Sequence, residues 1–278
     1  MTVNPAIRRS VFFISDGTAI TVETLGHSVL CQFPDVAFDI KIMPYVDSEE
    51  RAFDVVSAIN QAAIADDAPP LVFDTLVDLD VRAIINTANA FNLDVFEGII
   101  GKIAGELNVE PAPMVGTSHS SVDSASYKAR IDAVHFALDN DDGARTRHYD
   151  MADIILIGVS RSGKTPTSLY LALQFGLRAA NYPITEDDLD DNRLPKVLRE
   201  YKHKLFGLMI EPDRLVAIRN ERKAGSRYAS FQQCQMELRA IQGIYTSEGI
   251  PCIDVSEMSI EEIATRIIQR TGLQRRVN

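Results

Sequence analysis

Residues Asp153–Thr165 read DIILIGVSRSGKT, and the fold is decided there. After Asp153 come four apolar β-formers, Ile154-Ile155-Leu156-Ile157, with no polar alternation. A strand of that kind is buried on both faces, as in a parallel sheet covered by helices. It runs into Gly158-Val159-Ser160-Arg161-Ser162-Gly163-Lys164-Thr165, which satisfies G-x-x-x-x-G-K-[ST] at every fixed position. A helical pattern follows through Thr167, Leu169, Leu171 and Leu173, with Gly176 as its expected stop. Pro166 falls in the first turn, where a helix tolerates it.

Each part of this motif has a physical task. The glycines let the backbone bend so that successive N–H groups face an anion. The helix start adds unsatisfied N–H groups and the positive end of its dipole. Lys164 brings a mobile positive charge to phosphoryl oxygens, and the Thr165 hydroxyl can enter a Mg²⁺ shell. Gly158, Val159, Ser160, Arg161, Ser162, Gly163, Lys164 and Thr165 are therefore the candidate nucleotide-binding residues. Lys164 and Thr165 are also candidate catalytic residues. A strand before and a helix after distinguish the motif from a chance glycine turn.

Working outward, the first third alternates β-rich runs with amphipathic stretches. Strands are expected at Ser10–Ile14, Val36–Met43 and Pro70–Phe73. Helices are expected at about 21–33 (apolar face Val22, Leu25, Val29, Leu30), after a Ser48 cap (Phe53, Val56, Ile59, Ala63), and at about 80–90 and 95–107. Strands alternating with helices imply parallel pairing. Between Pro111 and Ser126 the chain reads PAPMVGTSHSSVDSAS, a linker composition. A helix at about 127–138 and the polar exit Asp139–Gly143 precede the decisive strand. Later strands are read at Leu205–Ile210 and Ile250–Val255, and Ser259 with Glu262 forms a capping-box pair. The fold class is α/β. Residues 1–112 form an N-terminal doubly wound parallel domain, 113–150 a linker and connecting helix, and 151–278 a P-loop kinase-like α/β domain.

Composition bounds the function. The 278 residues are 46% apolar and 24% charged, and 28 basic against 39 acidic residues give −11. That balance speaks against nucleic-acid binding, which requires a basic patch. Three distant cysteines, Cys31, Cys234 and Cys252, fit a reducing compartment, so a cytoplasmic protein is expected. The apolar run Val11–Ile14 is too short for a signal peptide or membrane span.

Other residues invite chemistry with less definition. Glu211 follows Leu208-Met209-Ile210, where an acid could hold Mg²⁺ or cap the helix starting near Pro212. Arg219, Arg222 and Arg227 near Gly225 could close on phosphates or form a solvated face. Glu186-Asp187-Asp188 with Asp190-Asp191 reads as a solvated loop. His27, His119, His135, His148 and His203 show no metal-ligand spacing, and no metal-ligand set is assigned. Ser15-Asp16-Gly17-Thr18 ends the first strand, the edge where parallel sheets bind ligands. Asp16 and Thr18 there could hold a substrate or partner, or serve turn chemistry alone.

Five segments recur together in one family: Phe13–Thr21 (FISDGTAIT), Gly158–Ser168 (GVSRSGKTPTS) with Leu169–Ala172, Ala180–Pro183 (ANYP), His203–Leu208 (HKLFGL) and Ser226–Ser230 (SRYAS). In this order they resemble the bacterial kinase–pyrophosphorylase family over almost the whole chain. The resemblance implies a bifunctional enzyme with phosphoenolpyruvate synthase as protein substrate. It would use ADP to phosphorylate a threonine of the synthase and inactivate it. It would use inorganic phosphate to remove that group, forming pyrophosphate. The family's ADP site maps onto Gly158–Thr165. A sister branch acts on pyruvate, phosphate dikinase; Asp16–Thr21 and Gly163 look closer to the synthase branch. Glu211 stands where close relatives often carry Asp. An acceptor threonine must lose its proton, and Asp16 is the candidate base. A small-metabolite kinase and a non-catalytic nucleotide-gated module are the competing readings, and a homo-oligomer is left open.

Overall fold

Strand β1 (Ile7–Ile14) is the axis of the first sheet, and its inner residues are buried on both faces. Phe12 and Ile14 pack with Val55, Ile59, Val72 and Val81, while Val11 and Phe13 pack with Val22, Leu30 and Phe73. Two-sided burial explains the unbroken apolar run. The structure, a computed structural model, describes residues 7–111, 124–189 and 193–276. The chain divides into two compact units, Met1–Ser121 and Val122–Asn278. Residues 112–123 of the expected linker lie outside the described residues, as do Asp190 and Asp191 of the acidic run.

In the first unit β2 (Val36–Met43), β3 (Leu71–Asp74) and β4 (Phe91–Asp94) join β1 in a parallel sheet ordered β2-β1-β3-β4. Helices α1 (Ile20–Leu30), α2 (Glu49–Ala65), α3 (Leu79–Ile85) and α4 (Glu97–Leu107) alternate with these strands. Ser48 caps α2 as expected, its side chain accepting from the Arg51 N–H.

Two helix faces differ from the periodic reading. The buried face of α1 is Val22, Gly26 and Leu30, with Leu25 and Val29 exposed. Gly26 is the cause: a Cβ there would lie 2.2 Å from the Phe13 ring, so the helix rests its bare backbone on that ring. On α2, Ala52, Val55, Ile59, Ala62 and Ala63 are buried while Phe53 is 58% exposed, because small residues let the helix approach the sheet. The four-residue strand β4 falls between two stretches read as helical. It is defined by pairing with β3 rather than by local periodicity.

The second unit repeats the pattern around β5 (Ile154–Gly158). With β6 (Ala179–Pro183), β7 (Leu205–Met209) and β8 (Cys252–Asp254) it forms a parallel sheet ordered β6-β5-β7-β8. Its helices are α5 (Ser124–Asp139), α6 (Lys164–Phe175), α7 (Glu186–Leu189), α8 (Pro212–Lys223), α9 (Phe231–Glu248) and α10 (Ile260–Thr271). Ile154–Ile157, Phe206 and Leu208 form the core with Leu171, Ile241 and Ile267. Helix α5 packs Ala133 and Ala137 on Ala172 of α6, which makes it part of this unit's helical layer. Gly176 ends α6 with φ 66°, and the Ser259–Glu262 capping box opens α10.

Candidate functional site

The loop Gly158–Thr165 leaves the carboxyl end of β5 and enters α6. Its two glycines have different tasks. At Gly158 the need is space: a Cβ would lie 2.7 Å from Ser162 Oγ and 2.9 Å from the Leu208 carbonyl. At Gly163 the need is conformational, with φ 83°. Arg161 is also left-handed, φ 75°, so handedness alternates along the loop. Such alternation turns successive N–H groups toward one concavity that suits an anion. Ser162 Oγ is buried and has no hydrogen-bond partner among the described residues.

Lys164 is 4% exposed, and its Nζ donates to the Val159 carbonyl at 2.8 Å. Burial pulls its pKa down to about 8; Arg219 adds to that pull, while Asp142 and Asp141 oppose it. The ammonium therefore lies beneath the loop, costly to keep charged without an anion to face.

Thr165 Oγ1 donates to Asp141 Oδ1 at 2.7 Å. The same oxygen accepts from Asn181 Nδ2 at 2.6 Å, and Asn181 Oδ1 accepts the Asp142 N–H at 3.1 Å. Asn181 on β6 is fully buried, and its carbonyl accepts from Tyr149 OH. The turn Asp141–Gly143 is thus pinned to the strand beside β5. Left-handed φ at Asp142 (48°) and Gly143 (72°) shapes it. Sequence reading treated these residues as a polar exit and missed Asp141. The available signal was a pair of acids and a glycine shortly before a buried strand.

On the other side of the loop, Arg219 is fully buried. Its Nη1 and Nη2 donate to Glu237 at 3.2 and 2.6 Å, and Nη2 also reaches the Ser160 carbonyl at 3.3 Å. Nη1 donates to the Tyr228 carbonyl, and Tyr228 OH shares a hydrogen bond with Ser160 Oγ at 2.9 Å. Ser160, Arg219, Tyr228, Gln233 and Glu237 line a cleft of about 380 Å³.

The proposed arginine group is therefore divided. Arg219 is a fixed internal brace, whereas Arg222 is exposed and Arg227 is exposed and paired with Glu186 at 3.2 Å. A lid made of all three together does not form, because burial against Glu237 immobilises Arg219. Glu211 is the exposed N-cap residue of α8, and its side chain makes no cap hydrogen bond. The Thr165 hydroxyl pairs with Asp141 rather than with Glu211. Part of the acidic run is structured: Asp188 accepts from the Thr185 N–H and from Tyr182 OH, and Glu186 accepts from Gln233.

In the first unit the Ser15–Thr18 turn follows β1. Asp16 Oδ2 accepts the Val77 N–H at 2.9 Å, tying this turn to the segment after β3, and Ser15 Oγ accepts from Gly17. Arg82 bridges Asp74 (3.1 Å) and Asp94 (2.6 Å) at the ends of β3 and β4, an ion cluster the sequence did not announce. Among the described residues no group of three or more His, Cys, Asp or Glu could hold a metal ion, and no helix is long and apolar enough to cross a membrane.

Two parallel sheets, with a glycine-rich loop leading from the central strand of the second into a helix, are the architecture of α/β proteins of the kinase type. The chain belongs to the kinase/pyrophosphorylase family, whose model matches residues 11–268. It is 70% identical over 277 residues to a protein of Acinetobacter baylyi, covering 100% of each chain. A protein of Psychrobacter cryohalolentis is 68% identical over 269 residues, covering 97% of this chain and 95% of the relative. Both relatives carry the provisional name phosphoenolpyruvate synthase regulatory protein. The family is one of phosphotransfer enzymes, so phosphotransferase activity is supported for this chain.

Proposed function

We propose that the chain is a bifunctional regulator of phosphoenolpyruvate synthase, an ADP-dependent threonine kinase and a phosphate-dependent pyrophosphorylase. The Gly158–Thr165 loop carries the reading: its alternating backbone, framed by β5 and α6, lies over a buried lysine. The family match and the names of the relatives support a kinase and pyrophosphorylase directed at phosphoenolpyruvate synthase.

One cradle serves both reactions. In the kinase direction the threonine oxygen attacks the β-phosphorus of ADP. The bond from that phosphorus to the bridging oxygen breaks, AMP leaves, and the hydroxyl proton passes to a base. In the other direction an oxygen of hydrogen phosphate attacks the phosphorus of phosphothreonine. The phosphate's proton passes through the base to the leaving threonine oxygen, and pyrophosphate forms. Both are in-line displacements in which positioning and charge stabilisation supply most of the rate. The loop N–H groups and Lys164 hold the transferred phosphoryl group. Asp16 is the carboxylate we assign to the proton.

The test incubates the protein with phosphoenolpyruvate synthase and either ADP or ATP, follows transfer by mass, and then adds phosphate to look for pyrophosphate. Transfer from ADP and pyrophosphate release are expected. Lys164→Met should depress both activities together, and a near-normal phosphorylase rate in that variant would mean two separate anion sites. Phosphorylation of a small acceptor by ATP, with none on the synthase, would favour a metabolite kinase instead. ADP binding without transfer would favour a non-catalytic module.

A further inference from the structure

We propose that Asp141 and Thr165 form the protein's half of a divalent-cation site that takes Mg²⁺ together with the phosphates of a nucleoside diphosphate. The inference rests on the phosphate-binding reading of the loop given above and goes beyond it, since the acid comes from ahead of β5.

Distance carries the first part. Neighbouring ligands in an octahedral shell of radius about 2.1 Å stand about 3 Å apart. Thr165 Oγ1 and Asp141 Oδ1 are 2.7 Å apart, so one ion can take both oxygens with little movement, the hydroxyl keeping its proton and turning it away from the carboxylate. The carboxylate is also held as a metal ligand needs to be, because the fully buried Asn181 fixes Oδ1 from behind at 2.6 Å. Partners of this kind orient a ligand and sustain its affinity. Oδ2 of Asp141 has no hydrogen bond among the described residues and remains a free acceptor.

Charge carries the second part. Two carboxylates, Asp141 and Asp142, act on the buried Lys164. A diphosphate brought to this loop meets two negative groups for that one ammonium, with Arg219 already committed to Glu237. A divalent cation between Asp141 and the phosphates removes the repulsion. Two further polar atoms, Ser162 Oγ in the loop and Asn140 Oδ1 beside Asp141, are buried without partners among the described residues. The donors are hard oxygens, which suit Mg²⁺ or Mn²⁺. One carboxylate and one hydroxyl are too few to hold the ion alone, so ion and nucleotide should bind together. When bound, the ion screens the charge of the transferring phosphoryl group.

The experiment measures ADP affinity of the full chain by calorimetry in EDTA and in Mg²⁺, and Mn²⁺ binding by electron paramagnetic resonance with and without ADP. The wild type should bind ADP at least about tenfold more tightly with Mg²⁺, and Mn²⁺ should bind far better once ADP is present. Asp141→Asn and Thr165→Val should each lose most of that gain, while Thr165→Ser keeps it. In EDTA, Asp141→Asn should bind ADP at least as well as wild type, because a repelling charge has gone. If Asp141→Asn fails to fold, the Thr165 pair decides the matter. Equal wild-type affinity in EDTA and Mg²⁺, or an undiminished gain in Asp141→Asn, overturns the cation site and leaves the loop reading standing. No ADP binding by the wild type under either condition overturns the loop reading itself.

Discussion

The guanidinium of Arg219 lies 4.1 Å over the ring of Tyr228 and, from the same position, donates to the carbonyl of Ser160. A helix residue and an aromatic residue thereby hold the loop at Ser160, through its backbone and its hydroxyl. Buried ion pairs contribute little net stability, but breaking one strands a charge.

Arg219→Met should leave Glu237 buried and unpaired, costing about 3–5 kcal/mol. Denaturant unfolding checks this. The double variant Arg219→Met with Glu237→Met should recover a large part of the loss, since no orphan charge remains.

Tyr228→Phe removes only the hydrogen bond to Ser160 Oγ and keeps the stacking on Arg219. A loss of about 1 kcal/mol or less is expected. ADP titration should show less than tenfold weakening.

The buried Lys164 predicts a pH profile. Its pKa falls from the usual 10.5 to about 8, chiefly through burial. The ammonium form favours a diphosphate, so ADP affinity should be highest below pH 8. Above it, affinity should drop by about tenfold per pH unit until the lysine of the complex itself titrates. The unfolded chain keeps this proton to higher pH than the native one. Stability from this group is therefore lowest below pH 8 and rises between pH 8 and 10.5. Calorimetry in buffers of different ionisation enthalpy should detect proton uptake on ADP binding near pH 8 to 9, and Lys164→Met should abolish it.

Asp16→Asn tests the assigned base. The amide oxygen can still accept the Val77 N–H, so the melting temperature should hold. Turnover in both directions should fall by about a hundredfold or more if this carboxylate handles the proton. Unchanged turnover removes Asp16 from the mechanism.

Gly26→Ala tests the packing of α1. The added carbon would meet the Phe13 ring at 2.2 Å, and overpacking of this kind costs about 1–3 kcal/mol. Thermal melting should register the loss, while the ADP affinity of the second unit stays as it was.

What was legible in the sequence was whatever a local pattern encodes. Strands β1 and β5 announce themselves because burial on both faces demands unbroken apolar runs, and the loop after β5 because fixed residue types must stand at fixed spacing. Strand β6 was hidden, since Ala-Ala-Asn-Tyr-Pro is a poor β signature and is strand only by pairing with β5. Asp141 was hidden because its link to Thr165 spans 24 residues and depends on Asn181, 40 residues on. The burial of Arg219 was nearer to view: it stands one turn after Leu215, on the buried stripe of α8. Its charge directed the reading to phosphates or solvent, and Glu237 on another helix, with the Ser160 and Tyr228 carbonyls, reverses that.

The two sheets follow one winding, yet their carboxyl ends are neutralised differently. In the first, Arg82 is in direct contact with both Asp74 and Asp94, a largely buried cluster that salt screens little. In the second, the acids beside the loop face a lysine that burial makes reluctant to stay charged. Salt should therefore act unequally on the halves. Raising ionic strength would scarcely disturb the first rim, while it would blunt the capture of anions and cations at the second.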